Sequence, residues 1–178
     1  MNVELRLPIA GVAAFLSAVV VVLGLAAGPA HAAVLHLDGV GPLRLGMLRS
    51  DALDTGWLSG RRPGCELGGP PIPIDYRVRG RGRYAAVRGF AEFSHGRLGN
   101  LTFSRGVKTV FGVEPGRTTP AEMVARYRRA GYRATAVYDS VFQGTFVSVS
   151  KRGRTRISGF ATSGVVGSLG LPYIPVCE

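Results

Sequence analysis

Val110-Phe111-Gly112-Val113-Glu114-Pro115-Gly116, with Thr119-Pro120-Ala121-Glu122 close behind it, is the stretch on which the fold reading turns. Thr119 and Glu122 have the Thr-x-x-Glu spacing of a capping box, and Pro120 occupies the first helical position, so a helix should begin there. Met123, Tyr127 and Ala130 recur at i, i+4, i+7 and give it one apolar stripe. Arg126, Arg128, Arg129 and Arg133 surround that stripe, and Gly131 ends it. Two strands are expected next, around Thr145 to Ser150 and Arg154 to Phe160, joined at Arg152-Gly153. Leu171 to Val176 is apolar enough to form a last buried strand ending at Cys177.

Working back from there, the first half shows a similar order. After a short lead from Val34 to Val40, Gly41-Pro42-Leu43-Arg44-Leu45-Gly46-Met47 alternates apolar and polar residues and leads into a helical stretch near Arg49 to Thr55, closed by Gly56. Residues 59 to 83 are rich in Gly, Pro and Arg and read as irregular exposed chain. Phe90, Phe93, Leu98, Leu101 and Phe103 around His95-Gly96 then predict a β-hairpin, with His95-Gly96 supplying the positive-φ turn. The expectation is an α+β fold of two helix-hairpin halves, pseudo-repeats at about 41–106 and 107–178. It reads as a tandem duplication with short helices packed on an antiparallel sheet.

The amino-terminal segment points to export. Arg6 precedes an uncharged apolar run from Ile9 to Ala27, and Ala30-His31-Ala32 offers the small-x-small site that a signal peptidase cuts before Ala33. Residues 1–32 are thus read as a signal peptide and 33–178 as a single exported domain. The run approaches bilayer-spanning length, so an uncleaved anchor is the alternative. No Cys follows it to carry a lipid, and membrane contact is expected only through the leader before cleavage. About 146 of the 178 residues would remain, enough for one real core. The formal net charge is +11, and nearly all the basic residues are Arg, since Lys108 and Lys151 are the only lysines.

Cys65 and Cys177 both fall in the exported part, where an even count of cysteines is expected to pair. One disulfide closing a loop of more than a hundred residues would stabilise the fold by roughly 4 to 5 kcal/mol on the chain-entropy account. A metal or redox role is the alternative. It finds no second Cys or His at ligand spacing beside either residue, and no cofactor is inferred.

Leu43-Arg44-Leu45-Gly46-Met47, the later Cys65, the hairpin Phe93-Ser94-His95-Gly96-Arg97-Leu98 and Val110 to Gly116 together carry a resemblance. The chain resembles the small exported bacterial domains related to β-lactamase inhibitory protein and to outer-membrane-assembly lipoproteins. That resemblance implies a helical pair packed on an antiparallel sheet. In those domains a hydroxyl residue usually comes directly after the Met as helix cap, whereas this chain has Leu48. None of the inhibitor's working residues finds a positional match here, so the resemblance implies layout and not inhibition.

Nucleophilic catalysis needs a nucleophile, a base and an orienting acid. After cleavage only His36 and His95 remain, one near the new amino terminus and one at a turn. Asp51 and Asp54 sit three apart on a short helix, and Asp38, Asp75, Glu92, Glu114 and Asp139 are scattered, so no catalytic or metal residue is assigned. Arg77, Arg79, Arg81 and Arg83 alternate, as do Arg152, Arg154 and Arg156, and each set would project from one side of extended chain as a basic stripe. Such stripes hold phosphates or carboxylates bidentately. The alternative is a solvated face shaped by coding bias. The expected function is a non-enzymatic binding module of the envelope or medium, its partner a protein or an anionic cell-wall polymer engaged by the arginine-rich face or an open sheet face. No small-molecule substrate is inferred, and compartment argues against nucleic acid. An inhibitor of a secreted enzyme and an unrecognised envelope enzyme are the alternatives.

Overall fold

The computed structural model describes residues 31–64 and 72–175. Its strands are β1 (Ala33–His36), β2 (Gly39–Val40), β3 (Leu43–Arg44), β4 (Leu58–Pro63), β5 (Ile74–Arg79), β6 (Arg88–Ser94), β7 (Arg97–Arg105), β8 (Val107–Thr109), β9 (Arg133–Asp139), β10 (Gly144–Lys151), β11 (Arg154–Ala161) and β12 (Ser168–Leu171). Its helices are α1 (Arg49–Asp54) and α2 (Pro120–Arg129). A small sheet of order β3-β2-β1-β8 lies beside an eight-stranded sheet of order β4-β5-β6-β7-β12-β11-β10-β9.

The expected α+β fold of two helix-hairpin halves is therefore corrected. Among the described residues the chain is mostly β, with 49 % strand, 14 % helical and two sheets. Each helix leads into four strands of the large sheet and not into one hairpin. Three segments account for the difference. Residues 59 to 83, read as irregular, hold most of β4 and all of β5, where buried Tyr76 and Val78 alternate with exposed Arg77 and Arg79. Arg133 belongs to β9 and not to the surroundings of the helix. The lead from Val34 to Val40 forms β1 and β2, with β1 pairing in parallel with β8. The last strand is also earlier than expected: it ends at Leu171, where Pro172 has no N–H to extend the ladder.

Local chemistry explains the elements that match expectation. Thr119 accepts from the Glu122 amide and Glu122 accepts from the Thr119 amide, which caps α2. Met123 and Tyr127 bury the inner stripe of α2 against β9, β10 and β11. The β6–β7 turn has positive φ at His95 and Gly96, and the β10–β11 turn has it at Arg152 and Gly153. Leu48 caps α1 without any side-chain hydrogen bond. The start of α1 is held from outside, by the Arg49 amide donating to Gly96 O at 3.0 Å and the Arg97 guanidinium donating to Gly46 O at 2.8 Å.

One face of the large sheet is apolar. Val78, Gly89, Phe103, Leu169, Gly159 and Val147 form a single row across six strands and join one continuous core with Leu35, Val40, Leu43 and Trp57. At Gly89 a side chain would collide with the Thr102 carbonyl, so the row needs glycine there. The neighbouring row, Ser59, Arg77, Phe90, Thr102, Gly170, Ser158, Ser148 and Thr135, lies on the opposite face, because successive residues of a strand alternate. No helix packs on that second face among the described residues, and it is the open face.

Candidate functional site

The open face gathers arginines from three neighbouring strands. Arg79 on β5 is opposite Arg88 on β6, and Arg88 is opposite Arg105 on β7. With Arg77, Phe90 and Ser104 they line a groove of about 530 Å³. Adjacent strands are about 4.8 Å apart, so the three opposed arginines place cationic groups at close, regular intervals across the strands. Arg88 donates to the Ala85 and Val87 carbonyls, which fixes one side of the groove. Among the described residues no carboxylate is ion-paired with Arg77, Arg79, Arg88 or Arg105. Phe90, 36 % exposed, continues the groove toward β4, where the Arg62 guanidinium sits 4.0 Å from its ring centre.

The basic stripes read from sequence are only partly assembled here. Arg77 and Arg79 enter the groove. Arg81 turns its guanidinium against Gly56 beyond α1, and Arg83 lies over the Tyr84 ring at 4.9 Å. Arg152, at positive φ, forms the β10–β11 turn, with Arg154 and Arg156 just after it. The registers place this turn at the same end of the sheet as the His95-Gly96 turn, and the groove at the other end. The two stripes are therefore separate surfaces. Alternation along one strand does not reveal Arg88 and Arg105, because the cationic row runs across strands. The signal for them is the register that the hairpin of β6 and β7 imposes.

A second constellation on this face also escapes a reading of the sequence. Asp75 and Glu92, scattered along the chain, are direct cross-strand neighbours, and both are buried. Arg62 donates to Asp75 Oδ2 at 3.2 Å, while Oδ1 has no partner. The Tyr173 hydroxyl donates to Glu92 Oε1 at 3.1 Å. Burial pushes the Asp75 carboxyl above its ordinary range, offset in part by the hydrogen bond and charge of Arg62. Burial likewise pushes Glu92 up; the Tyr173 hydrogen bond lowers it and the Asp75 charge raises it further. Burial, then the Glu92 carboxylate, raises the Tyr173 phenol to about 12. Asn100 donates to Tyr173 O at 2.7 Å and Ser158 to Pro172 O at 3.1 Å, so the stretch after β12 is strapped across the open face.

The other sequence candidates fall apart in space. His36 ends β1 in the small sheet and His95 is at the β6–β7 turn, both exposed. Apart from these candidates, the aromatic residues Trp57 and Tyr76 belong to the core, edge-on against Tyr84 and Phe93. Among the described residues no group of three His, Cys, Asp or Glu side chains could hold a metal ion, and no helix is long and apolar enough to cross a membrane. Cys65, Cys177 and the leader through Ala30 lie outside the described residues; Ala32 is exposed, and Ala33 opens β1 with its amide donating to Gly106 O at 2.8 Å.

Comparison with known proteins leaves this geometry to stand by itself: no family model matches the chain, and no curated protein or solved structure is significantly similar to it.

Proposed function

We propose that the chain is an exported, non-enzymatic binding module that takes an anionic partner in the groove of Arg77, Arg79, Arg88 and Arg105. One observation carries the reading: guanidinium groups from three adjacent strands line one groove, and no carboxylate among the described residues neutralises them. Uncompensated like charges at such spacing weaken the fold unless the site is used, because directly opposed like charges across strands are destabilising. Planar guanidinium forks suit carboxylate or phosphate groups repeated along a polymer. The reading treats Arg152, Arg154 and Arg156 as a solvated turn outside the site.

The test is retention on an immobilised acidic polysaccharide, measured across a salt series. Arg79→Glu with Arg105→Glu is expected to weaken binding by about tenfold or more, a loss of at least roughly 1.4 kcal/mol. Arg152→Glu with Arg154→Glu should leave it nearly unchanged. Equal losses from both pairs would mean diffuse attraction to net charge and would overturn the groove.

A second reading, inhibition of a secreted enzyme, is favoured by the aromatic chain at the far side of the same face. Phe142, Phe146 and Phe160 succeed one another at 5.9 and 4.5 Å between ring centres, beside Val137, which is 63 % exposed. A contact made there by shape would persist at high ionic strength, whereas attraction to the arginine groove would collapse.

A further inference from the structure

The two edges of the large sheet are built differently. At one edge β4 carries a bulge between Ser59 and Arg61, the charged pair Arg61 and Arg62, and then Pro63. Bulges, cationic side chains and proline are the usual devices that stop an edge from pairing with another chain. At the other edge β9, Arg-Ala-Thr-Ala-Val-Tyr-Asp, pairs with β10 through all seven residues without a register shift. It has no proline, no bulge and no charge between its end residues. Thr135, Ala136, Val137 and Tyr138 are all exposed, Val137 and Tyr138 at 63 % and 65 %. Among the described residues no further strand pairs with its outer side, and the one side chain of α2 that bonds its backbone is Arg128, whose Nε donates to the Ala134 carbonyl at 2.9 Å.

From this edge we infer that β9 is a homodimer interface: two copies of the chain pair β9 to β9, antiparallel, about a two-fold axis at Ala136. The sequence of the strand is complementary to itself in that register. Arg133 falls opposite Asp139 of the second copy at both ends, Ala134 opposite Tyr138, Thr135 opposite Val137, and Ala136 opposite itself. The faces agree as well. Arg133, Thr135, Val137 and Asp139 lie on the open face, where Val137 is in register with Phe146, and Ala134, Ala136 and Tyr138 lie on the helix-covered face. Thr135 against Val137 is a β-branched pair of the kind that stabilises strand contacts.

A symmetric contact of this kind is closed. It consumes the unguarded edge of each large sheet and leaves only the guarded β4 edge of each, so the large sheet extends no further than two copies. The Arg133–Asp139 pairs at the rim, with Asp139 Oδ1 also accepting the Val141 and Phe142 amides, contribute little energy and select the register. A second copy thus fits this edge by charge and by its β-branched pair.

The experiment is sedimentation velocity on the full chain, from about 1 μM to about 1 mM, the span of weak to moderate association. A monomer–dimer equilibrium is expected. Thr135→Lys with Val137→Lys, which sets lysines opposite one another without touching the core, should weaken it by about tenfold or more. Arg133→Glu, which opposes Glu to Asp139, should weaken it too, while Arg133→Lys should preserve it and Ser59→Lys on the β4 edge should have no effect. Circular dichroism of each variant monitors the monomer fold. A wild-type chain that stays monomeric throughout overturns the inference, and so does a dimer that survives both the double lysine variant and Arg133→Glu.

Discussion

Glu92→Gln tests whether the buried carboxyl pair on the open face limits stability. Asp75 and Glu92 face each other across β5 and β6, and each holds its proton more tightly in the folded chain than at its ordinary value of 3.8 or 4.5. Groups whose native values are raised favour the folded state most at pH below their unfolded values. That contribution is lost as pH climbs through the raised native values. Once pH has climbed through those raised values, the pair stands as two opposed charges, relieved at Asp75 by Arg62. Glutamine keeps an oxygen that can accept from Tyr173 and removes one charge, and its amide can donate toward Asp75 Oδ1, which has no partner. Opposed like charges across strands cost about 0.2 to 1 kcal/mol, so the variant should gain that much at pH 7.5. For a chain of this size the gain is a rise in Tm of up to about 4 °C. At pH 3.5, where the wild-type pair is largely protonated, the difference should shrink toward zero. Thermal melts of both proteins at the two pH values decide it. A variant that is less stable at pH 7.5, or whose gain is the same at both values, refutes the argument, because the opposed charges would then not be the cause.

Local geometry carries two further expectations. Thr119→Ala removes the side-chain acceptor that caps α2 and should cost about 1 kcal/mol in denaturant unfolding with the slope unchanged. Protein recovered from the culture medium should have the intact mass of a chain beginning at Ala33, with Cys65 and Cys177 blocked to alkylation until reduced; a full-length, membrane-held species with free thiols refutes both expectations.

The elements legible in the sequence are those with a local cause. A capping box, a helical stripe and the turns at His95-Gly96 and Arg152-Gly153 each fit within about ten residues, and each is present in the fold. The strands that escape notice lack such a cause. In β5, Tyr76 and Val78 carry the apolar face, but Arg77 and Arg79 between them, with Gly and Pro around them, resemble exposed chain. The burial pattern of β9 has one buried residue, Ala134, because the strand is an edge and its outer side is solvated. The length of an apolar run records burial on both sides, so an edge strand is the kind of strand that such a reading loses.

The same limit governs the site. A stripe along one strand is visible as alternation, which is how Arg77 and Arg79 stand out. A row across strands depends on register: Arg79, Arg88 and Arg105 are neighbours because the β5–β6 and β6–β7 pairings bring them level. Asp75 and Glu92 are joined by the β5–β6 pairing, two rows away on the same face. The pairing that concentrates positive charge at one end of β5 and β6 thus concentrates negative charge toward the other, with Arg62 bridging Asp75 and the ring of Phe90 between them. An anion held in the groove would then be repelled less by Asp75 than by an unpaired carboxylate, since Arg62 is ion-paired with it. For that reason Arg62, outside the groove itself, is the residue through which the two constellations on the open face are electrostatically linked.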